Sequence, residues 1–357
     1  MKRLRIADCT CPPRQWGRWG LPIGVPSLFI VSLVLALLVA PLAVEAQQAG
    51  KPSRIAYVHF PSRLTATSAA GLDILRNVLR ERGWSEGKDF VIELRLAESE
   101  EKLPEISAQV VREKFDLIIT TNTFAAIAVK GATTSIPMVM AGTCDPVECG
   151  VVGGNLSHPG GNITGSTVIT SEVAGKRIEF LKEMVPGLKR VGAIPWGPET
   201  FCVRVVWLRQ SEGTARALGV TLQRITLSTW MDADGWDAAF AALKKDGVGA
   251  ITVMEGVPYA LQAPQIAAAA VKHGLPTVFP FRTQVEAGGL MSYGASTVHS
   301  WQRAAHFVDR ILRGAKPGDL PIEQPTKFEL LINGKTAKAL GLMIPPSLLM
   351  RGAEVIE

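Results

Sequence analysis

The sequence lacks the short motifs that mark the common catalytic and nucleotide-binding sites. It has no phosphate loop of the GxxxxGK type, no GxGxxG after its first predicted strand, no HExxH and no GxSxG. The five histidines are scattered, without the spacing to cysteine or carboxylate that a metal site needs. We therefore expect a protein that is not an enzyme and that carries no cofactor and no metal.

A strong excess of one charge is also missing. Lys and Arg total 38 against 32 Asp and Glu, which gives a formal net charge of +6. Part of that excess lies in the basic N-terminal stretch, and no stripe of Lys and Arg follows it. Nucleic acid, which attracts such stripes, is not an expected partner.

Long apolar runs are confined to the N-terminus. A basic stretch over 2–18 precedes an apolar run over 28–40, and compact residues at 44 and 46 suit a cut after Ala46. This order predicts a secretory signal peptide over 1–46 and a periplasmic protein. The alternative is a retained membrane anchor, since 21–44 is nominally long enough to span a bilayer.

Cysteine is scarce beyond the predicted signal peptide. Cys144 and Cys149 lie five apart in a loop, where a local disulfide and two unpaired thiols are both compatible with the sequence. Cys202, on a predicted helix, has the character of a small core residue.

From Arg54 onward, short β-type runs alternate with amphipathic helical stretches. Buried strands are predicted at 55–60 and 117–119, and the alternating run 92–96 predicts a strand near a sheet edge. Strands that alternate with helices of this length form βαβ units and parallel sheets. After a glycine-rich loop over 142–165 the alternation starts again, with one long helix predicted over 259–273. The pattern predicts an α/β protein of two Rossmann-like lobes with parallel sheets.

The domain boundaries follow from the interruptions in this pattern. We assign 51–166 and 292–320 to the first lobe and 167–291 to the second. A glycine-bracketed strand over 288–294 marks the return to the first lobe. Residues 321–357 form a C-terminal strand–helix segment that crosses the hinge between the lobes.

Polar residues follow the predicted strands of the first lobe, where open α/β sheets bind ligands. The candidate ligand-binding residues there are Ser62, Thr121, Asn122, Thr123 and Asp145. A helix start at 121–123 suits a ligand carboxylate, although capping of that helix is the alternative. The Asp145 carboxylate suits a ligand ammonium or hydroxyl, and a turn that orders its loop is the alternative.

In the second lobe the equivalent candidates are Trp196 and Glu255, with Tyr293 near the return crossing. Trp196 has the flat face that stacks on a ligand, while a lid over the core is its alternative role.

Several long stretches resemble bacterial ABC transporter substrate-binding proteins of the tryptophan/tyrosine-type group. They include LRERGWSEGKDFVIELRLAE, IPMVMAGTCDPVECGVV, HPGGNITGST and the tail LPIEQPTKFELLINGKTAKALGLMIPPSLLMRGAEVIE. The resemblance covers essentially the whole chain beyond the predicted signal peptide. It implies a type I periplasmic-binding-protein fold, two α/β lobes joined by hinge strands with ligand between them. The chain departs from the family at Cys144 and at the turn 195–198. Because that turn lies in the second-lobe wall, the departure there bears on which ligand binds.

The resemblance further implies the function and the partners. We expect a monomer that captures a small solute, an amino acid or related metabolite, by hinge closure and delivers it to ABC permease subunits with a cytoplasmic ATPase. The alternatives are a ligand-sensing lobe for a membrane receptor and an exported enzyme on the same scaffold.

Overall fold

The computed structural model describes residues 51–168, 170–227 and 230–357. The predicted signal peptide over 1–46 lies outside the described residues. Within the described part, no helix combines the length and the apolar character that crossing a bilayer requires.

The described strands and helices alternate along the chain as the sequence pattern predicts. The strands are β1 Ser53–His59, β2 Phe90–Leu96, β3 Leu117–Thr120, β4 Met138–Cys144, β5 Ile163–Val168, β6 Arg190–Ile194, β7 Thr221–Arg224, β8 Ala250–Val253, β9 Thr277–Phe279, β10 Met291–Ala295, β11 Ile322–Glu323, β12 Phe328–Asn333 and β13 Glu354–Ile356. The α-helices are α1 Ala66–Glu81, α2 Leu103–Arg112, α3 Thr123–Ala132, α4 Thr170–Met184, α5 Cys202–Ala217, α6 Ala233–Lys245, α7 Val257–Leu261, α8 Ala263–Lys272, α9 Arg282–Glu286, α10 Thr297–Leu312, α11 Gly334–Ala339 and α12 Pro346–Met350.

The strands form two sheets. The first has the order β11-β5-β4-β3-β1-β2 and is parallel throughout, with β2 at its edge as the sequence predicts. The second has the order β13-β12-β10-β9-β8-β6-β7, and only the β10–β12 pair is antiparallel among its described strands. We call each sheet with its helices a lobe.

The main chain passes between the two sheets at three points: after β5, after β10 and after β11. The predicted return to the first lobe at 292 is therefore misplaced, because β10 pairs with β9 and β12 and belongs to the second sheet. The glycines there mark a close approach instead, since a Cβ at Gly294 would lie 2.4 Å from the Pro280 carbonyl oxygen. Of the segment 321–357, only β11 pairs within the first sheet.

Helices cover both faces of the first sheet, as parallel strands require. Ile55 and Tyr57 pack with α1 and α10, while Ala56 and Val58 pack with the opposite apolar cluster. Helices α1 and α10 approach closely because Gly71 carries no side chain. A Cβ at Gly71 would lie 2.0 Å from the Trp301 indole ring.

This contact makes α1 sensitive to a single methyl group. We expect Gly71→Ala to lower the free energy of unfolding by about 1–3 kcal/mol, the usual cost of overpacking a core. The matched control is Gly131→Ala in α3, where nothing lies within 4 Å of the added Cβ. The control should gain up to about 1 kcal/mol from helix propensity. Urea unfolding followed by circular dichroism measures both, and an unchanged midpoint for Gly71→Ala would contradict this packing.

Candidate functional site

A cavity of about 140 Å³ lies where the carboxyl ends of strands from both sheets meet. It is much larger than the roughly 10–15 Å³ that one water molecule needs. The loops after β1, β3, β6 and β8 and the carboxyl end of β4 contribute to its lining. Val168, Ala295 and Thr297, which flank two of the chain crossings, also line it. The cavity thus adjoins both lobes and the segments that connect them.

Five of the sequence-predicted site residues line this cavity: Thr121, Asn122, Thr123, Trp196 and Glu255. The structure therefore brings together strand-end loops of the two lobes; parallel pairing explains why the loops of each sheet share one edge. Binding of a ligand by these side chains stays a prediction.

The other three predicted residues do not line the cavity. Ser62 is exposed at the protein surface. Asp145 is buried with φ 41°, and its carbonyl accepts a hydrogen bond from the Cys149 N–H, so its backbone shapes the loop. Tyr293 packs against Phe180 and Phe328 within the second lobe. Ligand binding at these three positions also stays a prediction, and the cavity lining does not support it.

The helix start at 121–123 is held mainly by contacts within the protein. Asn122 caps α3, accepting a hydrogen bond from the Ala125 N–H at 2.9 Å. The Thr123 hydroxyl accepts from the Cys144 N–H at 3.0 Å, which ties α3 to the end of β4. The Asn122 side chain therefore has the alternative role that the sequence allowed, which is to cap the helix. These bonds fix the first-lobe wall of the cavity.

His59, which the sequence analysis missed, also lines the cavity. His59 is the last residue of β1, and the sequence pattern predicted a strand over 55–60, so it gave no reason to expect a site residue at this position. Its ring is 3% exposed, and Nδ1 forms a hydrogen bond of 2.6 Å with the Thr121 hydroxyl. Burial lowers the pKa of His59 to about 4, although a backbone hydrogen bond with Arg63 acts in the opposite direction. The imidazole is therefore neutral near pH 7.

Glu255 brings a buried carboxylate to the second-lobe wall. One carboxylate oxygen, Oε1, accepts a hydrogen bond from the Arg177 guanidinium, and both side chains are almost fully buried. Arg177 Nε also donates to the Tyr293 carbonyl at 2.8 Å, which fixes the guanidinium against β10. The other oxygen of Glu255, Oε2, has no hydrogen-bond partner within the described residues. Buried acceptors normally have one, so this oxygen suits a donor on a ligand.

Three aromatic rings line the cavity and connect the lobes. Phe124 of α3 stacks on Phe201 at 4.1 Å between ring centroids and meets Trp196 edge-on at 5.2 Å. Trp196 and Phe201 lie between β6 and α5 in the second lobe. Trp196 packs over Gly256, where a Cβ would lie 3.0 Å from the indole side chain. We call Phe124, Trp196 and Phe201 the aromatic clamp, a surface suited to a flat apolar group.

A disulfide joins Cys149 to Cys202, 53 residues apart. The predicted alternatives for Cys144 and Cys149, a local disulfide or two unpaired thiols, are both wrong for Cys149, and Cys202 is not a simple core residue. Chain folding places the loop after β4 beside the start of α5, and spacing along the sequence does not reveal that contact.

A model of the family described as ABC transporter substrate binding protein matches residues 56–356. The chain is also similar to a tyrosine-binding protein of Clostridioides difficile strain R20291, with 27% identity over 269 residues that cover 74% of each sequence.

Among the solved structures that resemble the chain are two at 24% identity over 86% of this chain and 100% of the other. One is a conserved domain protein from Vibrio cholerae, with a TM-score of 0.76. The other is an ABC domain in complex with L-Trp from Streptococcus pneumonia, with a TM-score of 0.75. They confirm the expected type I periplasmic-binding-protein fold.

The lowered pKa of His59 predicts a pH dependence of stability. In the unfolded chain His59 binds a proton below about pH 6.5, whereas in the folded protein it does so only below about pH 4. Stability therefore falls as the pH drops through this window, by roughly 3 kcal/mol in total. We expect His59→Gln to remove this part of the dependence, whereas His158→Gln, at an exposed site, keeps it. Urea unfolding at pH 7 and pH 4 compares them, and equal losses in parent and His59→Gln would refute the effect.

Proposed function

The chain belongs to the ABC transporter substrate-binding protein family, and from this we propose that it binds an amino acid in the cleft between its lobes and delivers it to an ABC importer. The observation that carries the proposal is the cavity lined by both lobes, with a buried carboxylate and the aromatic clamp in its walls. Each wall supplies one of the chemical features that an amino acid with an apolar side chain needs.

Glu255 supplies the polar anchor. Because Arg177 donates to only one of its carboxylate oxygens, Oε2 is left to accept from the ligand. A ligand ammonium fits this oxygen well, since charge-assisted hydrogen bonds are the shorter and stronger ones. Neutral His59 adds a second polar group on the opposite lobe, and its Nε2 has no hydrogen-bond partner within the described residues.

The aromatic clamp supports an aromatic or large apolar side chain on the ligand. Offset-stacked and edge-to-face ring pairs add about 0.5–1.5 kcal/mol to the burial of apolar area. The related tyrosine-binding protein and the structural neighbour in complex with L-Trp agree with this class. We therefore propose tyrosine, tryptophan or a related metabolite as the solute.

Closure of the two lobes is the proposed mechanism. We take the first lobe as 51–168 with 297–323 and the second as 170–295 with 328–356, joined at the three chain crossings. A solute that contacts His59 and Glu255 touches both lobes, so it favours the closed arrangement. The closed shape would then be recognised by the permease subunits, with their cytoplasmic ATPase. In this account the protein is a periplasmic monomer whose signal peptide, 1–46, is removed on export.

Binding and the role of Glu255 can be tested together. We expect L-tryptophan or L-tyrosine to raise the melting temperature, since a ligand at 100 times its Kd adds about 2.7 kcal/mol to stability. Glu255→Gln keeps an acceptor for Arg177 but places an amide N–H where the carboxylate accepted. It should weaken binding by about 10- to 100-fold, which corresponds to one hydrogen bond to a charged group.

The matched control is Glu199→Gln in the same lobe, where the side chain is 91% exposed and lies outside the cavity lining. Its affinity should equal that of the parent in isothermal titration calorimetry. If Glu255→Gln binds as tightly as the parent, Glu255 is not the anchor. If neither amino acid stabilises the parent, the proposed solute class is wrong.

A further inference from the structure

The Cys149–Cys202 disulfide connects one lobe to the other. Cys149 lies in the loop between β4 and β5 of the first lobe, and Cys202 is the first residue of α5 in the second. The main chain crosses between the lobes at three points, so the disulfide is a covalent link additional to them. An exported protein meets an oxidising compartment, in which such a bond persists.

The bond lies beside the aromatic clamp. Phe201 and Val203, the neighbours of Cys202, both line the cavity. Phe201 stacks on Phe124 of the opposite lobe. Cys149 and Cys202 are both partly buried against the apolar cluster that contains the clamp residues Trp196 and Phe201. The link therefore sits where opening of the cleft would separate the lobes.

The segments around both cysteines of the disulfide are held in place by hydrogen bonds. Around Cys149, short backbone hydrogen bonds to Asp145 and Pro146 form an ordered turn directly after β4. The Lys130 ammonium of α3 also bonds to the Gly150 carbonyl within this turn. At the other end, Arg204 holds the Gly197 carbonyl at 2.6 Å, which fixes the segment before α5.

A disulfide bridges Cα atoms that are about 4.4–6.8 Å apart. The two Cα atoms here are 5.3 Å apart. Because both attachments are ordered, hinge opening that moves these segments apart by several ångströms is incompatible with the bond. Opening requires either that the bond be reduced or that the turn at 145–150 unfold.

We propose that Cys149 and Cys202 form a redox site that latches the two lobes together and limits solute exchange while it is oxidised. The inference rests on the hinge motion of the proposed function. In the oxidised protein the lobes stay together, so solute enters and leaves slowly. In the reduced protein the lobes separate, and exchange becomes fast.

The reducing partner is a dithiol, of the kind that thiol–disulfide oxidoreductases carry. Its first thiolate attacks one protein sulfur, the S–S bond breaks, and a mixed disulfide forms with release of the other cysteine thiolate. Its second thiol then displaces the first cysteine and closes the partner's own disulfide. Two electrons and two protons pass in total, leaving two protein thiols and one oxidised partner.

Small-angle X-ray scattering of the full chain, purified without reductant, tests the latch without any ligand. Peptide mapping under non-reducing conditions should show the 149–202 cross-link. Dithiothreitol should then increase the radius of gyration. The double variant C149S/C202S should show the larger radius with or without dithiothreitol. The control, C144S, should behave as the parent, because Cys144 is not part of this disulfide.

Free thiols at positions 149 and 202 in the untreated protein would overturn the proposal. Scattering profiles that are the same for untreated parent, treated parent and C149S/C202S would overturn it too. A failure of the proposed function looks different: C149S/C202S would be extended, yet its melting temperature would not respond to L-tryptophan or L-tyrosine. If these amino acids bind, dithiothreitol should accelerate their dissociation from the parent and leave C149S/C202S unchanged.

Discussion

Burying an ionised carboxylate is costly unless its charge is compensated, and this constraint organises the site. The Arg177 guanidinium compensates the charge of Glu255. Its Nε also donates a hydrogen bond to the carbonyl of Tyr293 on β10, the strand that precedes the second chain crossing. One guanidinium thus joins the second-lobe wall of the cavity to a strand that precedes a chain crossing between the sheets. Arg177 bonds to a single carboxylate oxygen, so the other oxygen has no hydrogen-bond partner within the described residues, and we propose that a donor on the solute bonds to it.

The rest of the site follows from how parallel strands end. Each strand delivers a loop to the same edge of its sheet, so residues distant in sequence, such as His59 and Thr121, become neighbours there. The aromatic clamp faces this edge from both lobes and supplies apolar surface between the polar groups. The Cys149–Cys202 disulfide lies beside it, so the groups proposed to govern closure, solute contact and redox control lie in one region.

The sequence predicted most of the fold because parallel strands and amphipathic helices leave separate periodicities. The helix predicted over 259–273 is instead two helices, since Pro264 opens α8 and a continuous apolar pattern does not reveal that break. The site was predicted less well. Arg177 lies inside a helix and His59 fell inside the predicted strand 55–60, so neither looked functional, and the contacts that bring them to the site join elements far apart in the chain.

The central claim is that a solute joins the two lobes through Glu255 and His59. A crystal structure of the protein with L-tryptophan or L-tyrosine tests it most directly. The account predicts the ligand ammonium within hydrogen-bond distance of Glu255 Oε2 and the ligand ring against the aromatic clamp. A ligand bound to one lobe alone, or with no contact to Glu255, would contradict it.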